Sequence, residues 1–183
     1  MAKRKKTSSS EYSITHAELT GYSASIDASI NHKVREPRYY EDDAKVYDFG
    51  SHLELEGHFI HSEDREEEKI QLTIYGSGSG HCDFELTLAD CQIRDDNGSL
   101  KYRKVRGKEV PVYDVPKGIG YIECQRGARA WWGCVWVKQR TVTDMLTLLP
   151  NVRPLFIAIH ERHIGRTRWI AGLTLVTENP DDE

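Results

Sequence analysis

The feature that most constrains the fold is a period-two alternation of apolar and polar residues, which recurs along most of the chain. Ile70, Leu72 and Ile74, for example, are separated by single polar residues. A period of two places the apolar side chains on one face of a β-strand and the polar side chains on the other. The sequence therefore predicts a mainly β protein.

Turn signals between the alternating runs predict where the strands begin and end. The runs at 52–61 and 69–75 flank an acidic stretch and indicate a β-hairpin, in which Gly57 marks a bulge or a close backbone approach. The turn residues at 95–98 separate two further β segments. The remaining strands are expected at 22–28, 83–93, 99–116 (one edge strand or two short strands), 121–125, 130–137, 155–161 and 168–177, with a loop or edge segment at 31–48.

One segment has the spacing of a helix. Its apolar residues, Val142, Met145, Leu146 and Leu149, fall on one helical face. Thr141 is a candidate N-cap with Asp144 as its capping-box partner, and Pro150 ends the pattern. We therefore expect one short helix at 142–149.

Many short strands in succession with turn signals are typical of a β-sandwich or a β-barrel. An antiparallel β-sandwich is the favoured architecture, and an open β-barrel is the alternative. Residues 11–178 are expected to form a single domain. The basic, Ser-rich residues 1–10 predict a disordered tail, and residues 179–183 predict a short acidic tail.

The chain lacks the patterns of an exported or membrane-spanning protein. The basic residues at 3–6 are not followed by an apolar segment, and no apolar run is long enough for a transmembrane helix. We expect a soluble, cytoplasmic protein that makes no membrane contact. In that compartment the four cysteines (Cys82, Cys91, Cys124 and Cys134) are predicted to be reduced, structural thiols.

The motifs disfavour three common kinds of functional site: a phosphate-binding loop, a zinc knuckle and a metalloprotease centre. The Gly/Ser-rich stretch at 76–81 follows a strand, but no helix follows it, so it reads as a linker rather than a phosphate-binding loop. The cysteine spacings match no common zinc knuckle. His160-Glu-Arg-His163 differs from a metalloprotease signature. No cofactor is indicated, and a non-enzymatic protein is favoured over an enzyme.

The leading functional hypothesis is a binding or assembly module with a Trp/Arg-rich surface. Trp and Arg are the residue types enriched at interaction hot spots. The alternative for this region is simple core packing of Trp132 and Trp136, with Trp131 on the opposite strand face. A protein partner or self-association is expected. The candidate binding residues are Arg126, Arg129, Trp131, Arg140 and Trp169.

Two alternatives remain open. A nucleic-acid accessory protein would use a basic segment with an interleaved Tyr, although the net charge of −4 disfavours general phosphate binding. The residues of that segment are Lys101, Arg103, Lys104, Arg106 and Lys108. A metal-assisted enzyme would instead gather histidines from several strands. Its candidate ligands are His52, His58, His160 and His163.

Overall fold

The computed structural model describes most of the chain, with gaps near the ends and in several connections. The described residues are 11–30, 47–60, 65, 67–76, 84–125, 127, 129–151 and 153–180. The predicted tail at 1–10, the predicted loops at 31–46 and 77–81, Cys82, Arg126 and residues 181–183 of the predicted acidic tail lie outside them.

The described residues form nine strands and one helix. In chain order these are β1 (Glu11–Ile30), β2 (Tyr47–Ile60), β3 (Lys69–Gly76), β4 (Tyr102–Val105), β5 (Lys108–Pro111), β6 (Gly120–Cys124), β7 (Ala130–Val137), α1 (Gln139–Leu148), β8 (Phe156–Ile164) and β9 (Thr167–Val176). The mainly β composition predicted by the alternation is confirmed, as is a hairpin between β2 and β3. The long β8–β9 hairpin is also confirmed.

Seven strands close into a barrel in the order β1-β2-β3-β7-β6-β9-β8. The favoured prediction of a sandwich is wrong, and the barrel alternative is correct, with the difference that the barrel is closed. Closure depends on β1, whose residues Glu11–Glu18 pair with β8 while His16–Ile30 pair with β2. All neighbours are antiparallel except β3 and β7, which run parallel.

The inward positions of the strands build an apolar core. Leu53, Leu72, Ile157 and Ile170 are among its fully buried members. At one end of the barrel α1 adds Val142, Met145 and Leu149 to this core. In the part of the chain that the structure describes, no helix has the length and apolar character needed to cross a membrane.

The helix begins earlier than its sequence pattern predicts. Lys138 has an extended backbone and occupies the N-cap position, and no side chain caps the helix there. The backbone N–H of Thr141 donates to the Lys138 carbonyl (2.8 Å), so Thr141 already belongs to the first turn. The predicted cap at Thr141 is therefore wrong. Asp144 lies 3.8 Å from Arg140 one turn earlier, in an exposed ion pair.

By their contacts, Asp83–Lys117 form one compact unit and the barrel with α1 forms a second. The smaller unit contains the β4–β5 hairpin, which confirms two short strands within 99–116. Its turn places Arg106 and Gly107 in the left-handed region that such a tight turn requires. The expectation of a single domain at 11–178 stays a prediction.

The predicted strand at 83–93 is wrong, because residues 84–85 and 88–91 form turns. The Thr87 N–H and hydroxyl both donate to the Asp90 carboxylate, with the N–H at 2.8 Å from Oδ2. These hydrogen bonds, the side-chain one first, lower the pKa of Asp90. A local side-chain bond of this kind competes with strand pairing and overrides the apolar alternation in this segment.

Candidate functional site

The end of the barrel away from α1, called the mouth here, is filled by a buried ion pair. Arg65 enters from the β2–β3 connection, and its Nη2 donates to Glu161 Oε1 at 2.8 Å. The side chains are 1% and 0% exposed, respectively. The Arg65 guanidinium also lies 4.6 Å from the Phe59 ring and 4.7 Å from the Trp131 ring. The faces of two aromatic rings and the Glu161 carboxylate thus contact this buried cation.

Three further polar groups surround the Glu161 carboxylate. The Thr15 hydroxyl donates to Oε1 at 2.7 Å. Arg168 Nη1 lies 3.5 Å from Oε2, and His163 Nε2 lies 3.8 Å from the same oxygen. Arg168 also approaches His163 Nε2 at 3.2 Å, where the arginine must donate and the ring nitrogen accept. The Arg65 and Glu161 side chains at the mouth are therefore almost fully shielded from solvent by the residues around them.

An aromatic row crosses the outer wall, a name used here for the outward-facing residues of β2, β3, β7 and β6. Tyr75 and Trp136 stack with centroids 6.2 Å apart and planes at 20°. Tyr121 contacts Trp136 at 6.1 Å and Trp132 edge-on at 5.5 Å. His52 extends the row beside Tyr75 at 6.3 Å. Strand register brings these rings together, since Tyr75 and Trp136 are direct cross-strand neighbours.

A groove of about 340 Å³ opens on this wall next to the row, and we call it the wall groove. Glu56, Gln71 and Trp132 occupy one register row across β2, β3 and β7. His58 and Lys69 occupy the next row. The full lining is Thr20, Glu56, Gly57, His58, Lys69, Ile70, Gln71, Gln125, Ala130, Trp131 and Trp132. The groove thus offers the half-buried Trp132 indole beside several hydrogen-bonding side chains, with Trp131 also in its lining.

A thiol and a phenol meet within the aromatic row. Cys134 is buried directly across the strand pair from Tyr121. A hydrogen bond to Cys134 raises the pKa of Tyr121 to about 12, and desolvation adds to the shift. Burial is also the main reason why the pKa of the Cys134 thiol is raised. Both groups are therefore held in their neutral forms at physiological pH.

The raised pKa of Tyr121 predicts that the protein loses stability between pH 10 and pH 12. In this window the folded protein keeps the Tyr121 proton that the unfolded chain releases, so rising pH favours unfolding. Urea denaturation of wild type and Tyr121→Phe across this range measures the effect. The variant should show the shallower decline. Equal slopes for the two proteins would contradict the assignment.

The residues of the predicted Trp/Arg surface do not gather at one place. Trp131 lines the wall groove and touches Arg65, and Arg129 immediately precedes the groove residue Ala130. Trp169 lies farther round the barrel, opposite Tyr121. Arg140 is exposed on α1, beyond the other end of β7. Among the described residues of the predicted set, Trp131 therefore lines the wall groove, and Arg129 is its near neighbour in the chain.

The predicted histidine set is dispersed as well. His52 and His58 both face outward on β2 but lie about 20 Å apart along the strand. His52 contacts Ser25 at 3.0 Å, and His163 belongs to the mouth. His160 occupies an outward position of β8 between the buried Ile159 and Glu161. Among the side chains that the structure describes, no three His, Cys, Asp or Glu residues are arranged to hold a metal ion.

The predicted basic segment forms part of the β4–β5 hairpin and its approach. All five cations are exposed: Lys101, Arg103, Lys104, Arg106 and Lys108. Lys104 lies directly across from Glu109, and Val105 faces Lys108. A cross-strand pair of opposite charge stabilises such a hairpin modestly. The segment is therefore a solvent-exposed hairpin. Its binding to phosphate groups stays a prediction.

Sequence reasoning did not identify the Arg65–Glu161 pair or the polar lining of the wall groove. Glu161 did carry a signal, because it follows Ile157 and Ile159 at the next inward position of an apolar strand. Arg65 carried none, since it stands in an acidic stretch that is typical of a solvated turn. Comparison with known protein families, curated proteins and solved structures finds no significant match to this chain.

Proposed function

We propose that this protein is a binding module that holds an uncharged, hydroxyl-rich ligand, such as a sugar chain, in the wall groove against Trp132. The observation that carries the proposal is the combination in one groove of an indole and several hydrogen-bonding side chains. Its volume of about 340 Å³ is in the range of small-molecule sites. The proposal keeps the predicted binding role and adds Trp132, for which the sequence offered core packing as the alternative.

The chemistry of the lining favours a polar, uncharged ligand. The Trp132 ring offers an apolar surface of the kind that packs against the C–H face of a sugar ring. Glu56, Gln71 and Gln125 offer acceptors and donors for hydroxyl groups. An indole flanked by acidic and amide side chains thus matches a ring that carries hydroxyl groups.

The charges around the groove disfavour a nucleic acid. The groove brings Glu56 and Lys69 together, and Glu123 lies directly across the strand pair from Trp132. Binding to a phosphate backbone requires several clustered cations. The anionic side chains here would repel that backbone, whereas they can accept hydrogen bonds from a neutral sugar.

Replacing Trp132 by alanine should weaken binding of a neutral glycan by at least about 30-fold, which is the scale of a central aromatic hot spot. An array of neutral glycans probed with the labelled wild-type protein and with Trp132→Ala tests this, followed by calorimetric titration of the best binder.

The matched control is Tyr12→Ala, which removes an exposed aromatic ring of the same barrel on β1, where it contacts Arg162. This variant should bind as the wild type does. The proposal fails if no neutral glycan binds the wild type, or if Trp132→Ala binds equally well. It also fails if a short oligonucleotide binds more tightly than every glycan.

A further inference from the structure

The second half of β1 has one edge that no described strand covers. The pairing of β1 with β8 ends at Glu18, and the Leu19 N–H makes a last bond of 2.9 Å to the Leu155 carbonyl. Beyond a bulge at Thr20, β1 continues to Ile30 with β2 alone as its described neighbour. The opposite edge of residues 20–28 therefore offers backbone N–H and C=O groups for further strand pairing.

The side chains along this edge are unusually apolar for a solvated strand. Ile26 is 75% exposed and Tyr22 is 39% exposed, and both project on the face that continues the barrel interior. Natural sheets protect open edges with lysines, prolines or inward-pointing charges. Residues 20–28 contain neither Lys nor Pro, and their one charge is Asp27 on the opposite face. The edge is suited to pairing rather than protected against it.

The pattern of this edge is complementary to itself. In an antiparallel pair centred on Ala24 of two copies, Ile26 of each copy lies opposite Tyr22 of the other. Asp27 then faces Gly21, which has no side chain to crowd the carboxylate. The two Asp27 side chains stay far apart, near the two ends of the contact. A register of this kind is the isologous contact that a twofold axis requires.

The neighbouring surface leaves room for the second strand. A groove of about 340 Å³ runs beside Glu18–Tyr22 and is bounded by Leu149 and Arg153–Leu155. In the register centred on Ala24, the chain of the second copy beyond its Ala28 would run into this groove.

We propose that two copies of this chain associate through this edge, β1 against β1, to form a continuous sheet across a twofold axis. The contact would withdraw the exposed Tyr22 and Ile26 side chains from water and pair the open backbone groups. It uses no residue of the wall groove except Thr20, so the result does not depend on whether a glycan binds there.

Cysteine cross-linking tests the register. Ala24→Cys places two thiols directly opposite each other at the twofold axis, so mild oxidation should convert most of the protein into a covalent dimer on a non-reducing gel. Thr174→Cys, on the exposed face of β9, is the matched control and should form no covalent dimer on the same gel. Equal cross-linking of the two variants, or none with Ala24→Cys, overturns the proposed register.

Molar mass by sedimentation equilibrium tests the association without cysteines. The wild type should be dimeric at micromolar concentration. Ala24→Lys places two like charges face to face and should weaken dimerisation by about 100-fold, whereas Thr174→Lys should leave it unchanged. A monomeric wild type overturns the proposal, as does a dimer that Ala24→Lys does not weaken. A pure monomer that binds an added β-strand peptide would assign the edge to another partner.

Discussion

Replacing Arg65 by methionine should lower the free energy of unfolding by about 3–5 kcal/mol, the usual cost of removing one partner of a buried ion pair. The reason is the position of Glu161, which is fully buried and receives its shortest cation contact from Arg65. The variant leaves that carboxylate inside the barrel with Thr15 and with the more distant Arg168. Urea denaturation of wild type and variant measures the loss.

A double variant separates charge from packing. Arg65→Met combined with Glu161→Met removes both charges and retains apolar volume, so most of the stability lost in the single variant should return. Arg140→Met is the matched control, because Arg140 is 90% exposed and its change should stay within about 0.5 kcal/mol. If the double variant were no more stable than Arg65→Met alone, the ion pair would not be the source of the loss.

The strands were predictable because their signal is local. β7 was expected at 130–137 and occupies those residues, and its two faces were assigned correctly from the period of two. Trp131 faces inward beside Phe59, while Trp132 and Trp136 face outward. The alternation could not show which face is the outer one, because both faces of this strand carry large apolar residues. Only the neighbours of β7 determine that.

Barrel closure could not be predicted, because it depends on pairings between distant parts of the chain. β1 meets β8 across almost the whole sequence, as in the pair Ser13 and Glu161. The parallel pairing of β3 with β7 joins strands separated by the entire smaller unit. Period-two patterns are the same in a sandwich and in a barrel, so the sandwich was favoured on grounds that do not distinguish the two.

The candidate sites were predictable only in part for the same reason. Trp132 belongs to a Trp/Arg-rich segment that was visible in the sequence. Glu56 and Gln71 reach the same groove through strand register, which no local pattern shows. The strand prediction within the smaller unit was wrong for a different reason. There the Thr87 side chain bonds to Asp90, and the alternating segment forms turns instead of a strand. Local alternation thus predicts a strand correctly where neighbouring strands pair with the segment. It misleads where a side chain hydrogen-bonds to the backbone N–H groups that a strand would pair.

Gly57→Ala should destabilise the barrel by about 3 kcal/mol or more, which is the upper range for forced overpacking. Gly57 lies opposite Leu19, immediately beside the bulge of β1. A Cβ atom at this position would lie 2.2 Å from the Glu18 carbonyl oxygen and 3.1 Å from its carbon. These atoms are backbone, so the clash can be relieved only by separating β1 from β2 at the bulge.

Gly172→Ala is the matched control, because it makes the same change in β9, away from the open edge of β1. There the nearest atom to an added Cβ would be His160 Cβ at 3.7 Å, an ordinary van der Waals contact. This variant should stay within about 0.5 kcal/mol of the wild type in thermal and urea denaturation. Equal losses in the two variants would mean that strand glycines are required for flexibility. A selective loss in Gly57→Ala would show that close approach of β1 and β2 at the bulge requires the glycine.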